Sequence, residues 1–159
     1  MTCPAGSIIH IENFVLKDGS HKNKYFIVLS NTKDNALTLL SITTSNESGF
    51  YFNREAIVIQ HGAIKDADGK VMMYCIPKNV VVGINNGFKF PKDTFFLARY
   101  CFVELDCEQM NKFTVVIKDE ISNEELNNLV YTLYRSPYIA YEFKQKLEVL
   151  LTTLNDPTK

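Results

Sequence analysis

The chain has 159 residues, of which 46% are hydrophobic and 22% charged, and this is the composition of one globular domain. It excludes a disordered tail, a low-complexity linker and a second full domain. Lys and Arg number 17 against 18 Asp and Glu, a formal net charge of -1, so no global basic field gathers nucleic acid or anionic lipid and any such binding must come from a local patch.

The first apolar stretch, Ile8 to Leu16, is interrupted by His10, Glu12 and Asn13, and nothing basic precedes it, so no targeting signal is expected there. No apolar run approaches the roughly 20 residues of a membrane-spanning helix. Cys3, Cys75, Cys101 and Cys107 form no C-x-x-C pair. They read as reduced thiols filling a core, which points to a cytoplasmic protein that does not contact a membrane. With His10, His21 and His61 they match no zinc-ligand spacing, so no metal and no cofactor are expected.

Residues 7 to 117 break into short stretches rich in Ile, Val, Phe, Tyr and Thr, punctuated by turn chemistry about every ten residues. The pattern predicts strands near 7–15, 25–30, 36–44, 55–60, 71–76, 95–104 and 113–117, forming a small antiparallel barrel or sandwich. Asp18-Gly19, Asn31 to Asn35, Glu47-Ser48-Gly49, Asp68-Gly69 and Asn86-Gly87 supply the turns. Asp66-Ala67-Asp68-Gly69 superficially has the acids of a calcium loop, but its glycine comes two residues early, so it reads as a turn. Tyr25 to Leu29 is apolar without alternation, which predicts a central strand covered on both faces. Segment 77–93 is crowded with Pro, Gly and Asn and reads as an extended insertion.

After Ile117 the period changes. Ser122 with Glu125 has the spacing of a capping box, followed by Leu126, Leu129, Val130 and Leu133 on one helical face up to about Tyr134. Ser136-Pro137 should stop that helix and start another. The second helix carries a stripe of Ile139, Ala140, Phe143, Leu147, Leu150, Leu151 and Leu154, which packs on the barrel or on another subunit. The expected organisation is a β unit over residues 1–120 with a helical segment over 121–159 packed on it.

Two segments carry candidate chemistry. The stretch Lys17 to Lys24 gathers three lysines and His21 between two predicted strands, a local anion site or a solvated hairpin tip. Thr43-Thr44-Ser45-Asn46 places hydroxyls and an amide after apolar Leu39, Leu40 and Ile42, where they bind a ligand or bond local backbone.

In order and spacing, these segments resemble a known family. Gly6-Ser7-Ile8-Ile9, a loop with Gly19, Lys24-Tyr25-Phe26-Ile27-Val28-Leu29-Ser30 and Ser41-Ile42-Thr43-Thr44-Ser45 are similar to the G-D-I-V, R-P-A-V-V-L-S and P-I/C-T-T/S segments of the MazF/PemK-like toxins of bacterial toxin-antitoxin systems. Phe90 to Thr94 and Ile121 to Leu126 resemble that family downstream, so the likeness covers roughly residues 5 to 134.

The resemblance implies a mainly β fold with C-terminal helices, built on an SH3-like barrel of the MazF/PemK/CcdB type. It also implies a homodimer and an antitoxin peptide or protein as partner. The implied activity is metal-independent endoribonuclease cleavage of single-stranded RNA, leaving a 2',3'-cyclic phosphate. The family arginine falls on Lys24 and its threonine on Thr43, with Thr44 adjacent. His21 is then a candidate proton-transfer group, Lys24 a charge stabiliser and Thr43 a donor to a phosphate oxygen, with Lys17, Lys22, Thr44, Ser45 and Asn46 in contact with RNA. Tyr25, Phe50 and Tyr51 are candidates to stack an unpaired base or to fill the core.

Lys24-Tyr25 stands where the family has Arg-Pro, and lysine lacks the bidentate fork of arginine. The alternative is therefore a barrel that has lost the nuclease and serves as a protein- or peptide-binding module. The intact Ile42-Thr43-Thr44-Ser45 and the basic loop favour the enzyme.

Overall fold

The computed structural model describes residues 3–16, 18–31, 35–40, 42–43 and 58–156. Its elements in chain order are β1 (Ser7–Val15), β2 (His21–Asn31), β3 (Asn35–Leu40), β4 (Ile42–Thr43), β5 (Gly62–Lys65), β6 (Val71–Ile76), β7 (Thr94–Leu97), β8 (Phe102–Asp106), α1 (Cys107–Asn111), β9 (Thr114–Glu120), α2 (Asn123–Tyr134) and α3 (Tyr141–Leu154). Five strands form one sheet in the order β8-β3-β2-β1-β9, and four form a second in the order β4-β7-β6-β5. Every pairing between named strands is antiparallel. The molecule is mainly β with C-terminal helices, as expected.

The absence of alternation in 25–29 has a direct cause. β2 is the middle strand of the larger sheet, and Phe26, Ile27, Val28 and Leu29 are fully buried. Ile27 and Leu29 face the main core with Ile8, Leu37, Leu39, Phe90, Phe96 and Leu129. Phe26 and Val28 face a second core with Ile9, Ile11, Leu105, Met110 and Val115. A strand apolar on both sides therefore reads as a continuous run. Burying each such side chain stabilises the fold by roughly 1.5–3 kcal/mol.

The expected strand at 95–104 is two strands in different sheets. Tyr100 and Cys101 both donate their N–H to the Leu97 carbonyl, at 3.0 and 2.9 Å, and this turn carries the chain from β7 to β8. Of the strand expected at 55–60, residues 55–57 lie outside the described residues. Val58 and Ile59 are exposed and unpaired in any strand, and pairing begins only at Gly62↔Cys75. The Asp66 to Gly69 turn is as expected: Asp66 Oδ1 accepts from the Asp68 and Lys70 amides.

α1 was not anticipated, although its signal is present. Asp106 Oδ1 accepts from Gln109 N at 2.6 Å, and Gln109 Oε1 accepts from Asp106 N at 3.2 Å, a complete capping box.

The second C-terminal helix starts at Tyr141, later than Ser136-Pro137 implied. The Ser136 hydroxyl donates to the Val71 carbonyl at 2.6 Å and accepts from Tyr138 N at 3.2 Å, so it ties the inter-helix turn to β6 and caps no helix. On α3 Leu147 is fully buried, while Phe143, Leu150, Leu151 and Leu154 are partly buried against the main core. Phe143 stacks on Phe102 of β8 with centroids 4.9 Å apart. The stripe thus packs on its own chain.

Segment 77–93 contains no named strand, as expected, only a Gly83↔Ile121 bridge. Asp119, 3% exposed, holds it in place: its carboxylate accepts from the amides of Asn85 (3.0 Å), Asn86 (2.9 Å), Phe88 (3.1 Å) and Glu120 (2.7 Å). Gly83 permits this approach, since a Cβ there would lie 2.0 Å from Asp119 Oδ2.

Candidate functional site

The β1–β2 hairpin closes through turn chemistry. Asp18 Oδ1 accepts from Ser20 N at 2.9 Å and from Ser20 Oγ at 2.6 Å, and Gly19 takes φ +85°. The Ser20 hydroxyl bond, then the Ser20 amide, holds the Asp18 carboxyl below the usual carboxylate value. Within the hairpin Asn13 adopts φ +53°, and its N–H donates to Asn23 Oδ1 at 3.0 Å. The resulting bulge shifts register between Ile11 and Phe14, so that Lys24 pairs with Ile11 and Lys22 with Phe14.

β2 begins at His21, so Lys22 and Lys24 belong to a strand and not to a loop. Strand alternation puts both on the face that carries Phe26 and Val28, beside Ile9, Ile11 and Val115. Lys24 is only 7% exposed. Burial, and then the neighbouring positive charge of Lys22, lower its ammonium pKa below the usual lysine value. The ion pairs among the described residues join His61 to Glu125 and Lys146 to Glu104, and no described carboxylate pairs with either lysine of β2. Half-buried Phe14 adjoins them, edge-on to Phe26 at 4.9 Å and tilted to Phe113 at 5.6 Å. Lys22, Lys24 and Phe14 thus share one face of the β1–β2 hairpin.

The other sequence-derived candidates are distributed differently. Alternation sets exposed His21 on the opposite face of β2 from Lys22 and Lys24. The backbone of Thr43 pairs with Thr94 in β4, while its side chain lies outside the described part of the structure. Pairing of β2 with β3 ends at Phe26↔Leu40, where the chain leaves for the second sheet. Lys17, Thr44, Ser45, Asn46, Phe50 and Tyr51 lie outside the described residues. Tyr25 joins an aromatic cluster with His10 (4.7 Å), Phe88 (5.6 Å) and Phe90 (5.6 Å).

Cys3, Cys75 and Cys101 are buried free thiols, and burial pushes Cys75 up to about 12. Among the described residues no helix is long and apolar enough to cross a membrane.

Sequence reasoning missed one polar cluster. Ser122 Oγ accepts from Glu125 N at 3.2 Å, but the Glu125 side chain does not return to the cap. It meets His61 and Tyr74 instead. The S-x-x-E spacing suits either arrangement, and only the nearness of β5 and β6 to α2 decides between them.

In comparisons with models of known protein families, with curated proteins and with solved structures, the chain matches none.

Proposed function

We propose that this chain is an SH3-like barrel related to the MazF/PemK toxins and that it binds single-stranded RNA through Lys22, Lys24 and Phe14. The observation that carries the reading is Lys24, a lysine buried in an apolar sheet face with no described acid to pair it. Burial and the neighbouring Lys22 disfavour its charged form, and a phosphate supplied by a ligand would favour it. Phe14 offers a face on which an unpaired base stacks. The barrel reading is supported by the 35–43 run, in which β3 belongs to one sheet and β4 to the other.

RNA cleavage is the extension of this reading. Lys24 stabilises the phosphorane charge, Thr43 donates to a phosphate oxygen and His21 moves the proton. An antitoxin peptide and a second copy of the chain are the partners the family relation implies.

A second reading, a barrel without nuclease activity that binds a peptide or protein, is favoured by one observation: alternation separates His21 from Lys24.

Incubation of the purified chain with a mixed RNA pool in EDTA, followed by sequencing of new ends, tests cleavage. New ends that disappear in Lys24→Ala and Thr43→Ala are expected of the enzyme. RNA binding without new ends leaves a binding protein, and the absence of both contradicts the RNA reading.

A further inference from the structure

A second polar site lies where α2 meets β5 and β6. Glu125, 8% exposed, sits in the first turn of α2 and its Oε1 lies 2.6 Å from His61 Nε2 and accepts from the Tyr74 hydroxyl at 3.1 Å. Against a carboxylate oxygen, Nε2 is assigned as the donor, which leaves Nδ1 as the ring's remaining acceptor. Tyr74 also meets the imidazole edge-on, with centroids 6.1 Å apart. One hydrogen bond and one ring contact therefore orient the His61 side chain, which stays partly exposed.

Beside this ring opens a cleft of about 270 Å³ lined by His61, Gly62, Tyr74, Asn128, Tyr131 and Thr132. Asn128, Tyr131 and Thr132 lie at i, i+3 and i+4 of α2 and so share one helical stripe. Tyr131 is 50% exposed, so part of its ring is open to a ligand. One turn on, the Arg135 guanidinium lies 5.6 Å from its ring centroid.

We propose that this cleft binds a single nucleobase, stacked against Tyr131 and hydrogen-bonded along its edge by Asn128, Thr132 and His61. The size fits one small ring system, since the cleft falls just below the roughly 300–1,000 Å³ typical of pockets for larger ligands. The lining fits as well. An amide and a hydroxyl supply both donors and acceptors, as the edge of a base demands, and the half-exposed ring of Tyr131 receives one of its faces. Arg135 stands where a phosphate attached to that base would meet a cation. The carboxylate of Glu125 is occupied by His61 and Tyr74, so it does not repel such a ligand from within the cleft.

A free nucleotide and a base within a strand share this chemistry. The site uses none of the residues of the β2 lysine pair and stands whether or not the RNA reading of that pair does.

The test is an NMR titration of the full chain with each of the four ribonucleoside 5'-monophosphates, with ribose 5-phosphate, and with a short single-stranded oligoribonucleotide. Saturable shifts at Asn128, Tyr131 and Thr132 with a base-bearing ligand are expected, and none with ribose 5-phosphate. Saturation by a monophosphate assigns a free nucleotide, and saturation by the oligonucleotide alone assigns a base held in a strand. Tyr131→Ala, at a half-exposed position, should weaken binding about tenfold, the loss of one stacked base. Glu125→Gln should weaken it through His61 while leaving the Tyr131 shift in place. Replacing Lys22 and Lys24 by glutamine should leave monophosphate binding intact. No shift with any base-bearing ligand, or equal shifts with ribose 5-phosphate, overturns the proposal.

Discussion

Two buried charges divide the labour of this molecule. Asp119 on β9 accepts from four backbone amides, three in the 83–88 segment and the fourth that of Glu120. Lys24 on β2 is nearly as buried, yet no described carboxylate meets it. Burial alone would raise the Asp119 carboxyl, but the four amides outweigh it and the group titrates below the usual value. At Lys24 burial, and then the positive charge of Lys22, lower the pKa. The Asp119 carboxylate is held by amides of its own chain, whereas Lys24 has no described acid beside it and is the charge we assign to a ligand.

The largest effect should come from removing the satisfied charge. Asp119→Ala strands four backbone donors and should lower stability by on the order of 3 to 5 kcal/mol, read as a fall in the urea midpoint. Gly83→Ala attacks the same clasp sterically. Its Cβ meets the Asp119 carboxylate and Phe88 Cβ, at 2.0 and 2.7 Å, and a loss of about 1–3 kcal/mol is expected.

Acid should act on the clasp in a fixed direction. Because the folded carboxyl of Asp119 titrates below its unfolded value, its contribution is complete above about pH 4 and fades as pH falls through the folded value. Asp119→Ala should therefore flatten the acid limb of the stability profile measured by urea unfolding. An unchanged limb would assign acid sensitivity to other carboxylates.

Much of this fold was legible because its signals are local. Strand 71–76 and the whole of β1 follow from short apolar, β-favouring stretches bounded by turn residues, and the non-alternating run of β2 marked the centre of the larger sheet. What misled was chemistry with two valid partners. Ser136 has the properties of a helix cap, but its hydroxyl bonds the Val71 carbonyl 65 residues away in sequence. Glu125 stands at a capping-box spacing, but its carboxylate bonds Tyr74 of β6 and His61 just before β5. The lysine pair was visible as composition, while its meaning was not. The burial of Lys24 depends on the Asn13 bulge that sets it opposite Ile11, and no residue pattern in the loop announces that register.

The smallest effect on stability should come from Lys24, and it should have the opposite sign. Lys24→Met keeps the stem, removes the buried ammonium, and should stabilise the fold by on the order of 1 kcal/mol near neutral pH. The lysine's cost is full below its folded pKa and is relieved as pH rises from there toward the unfolded value near 10.4. The advantage of methionine should therefore shrink in alkaline solution.

The most direct measurement joins the two readouts on that one substitution. Urea unfolding of Lys24→Met is paired with fluorescence anisotropy of a labelled single-stranded oligoribonucleotide over a range of salt concentrations. A higher urea midpoint together with weakened RNA binding, and a salt slope reduced by about 0.7 for the lost phosphate contact, is the expected result. A variant less stable than the parent that binds RNA with the same affinity and the same salt slope would make Lys24 a structural residue and contradict the account.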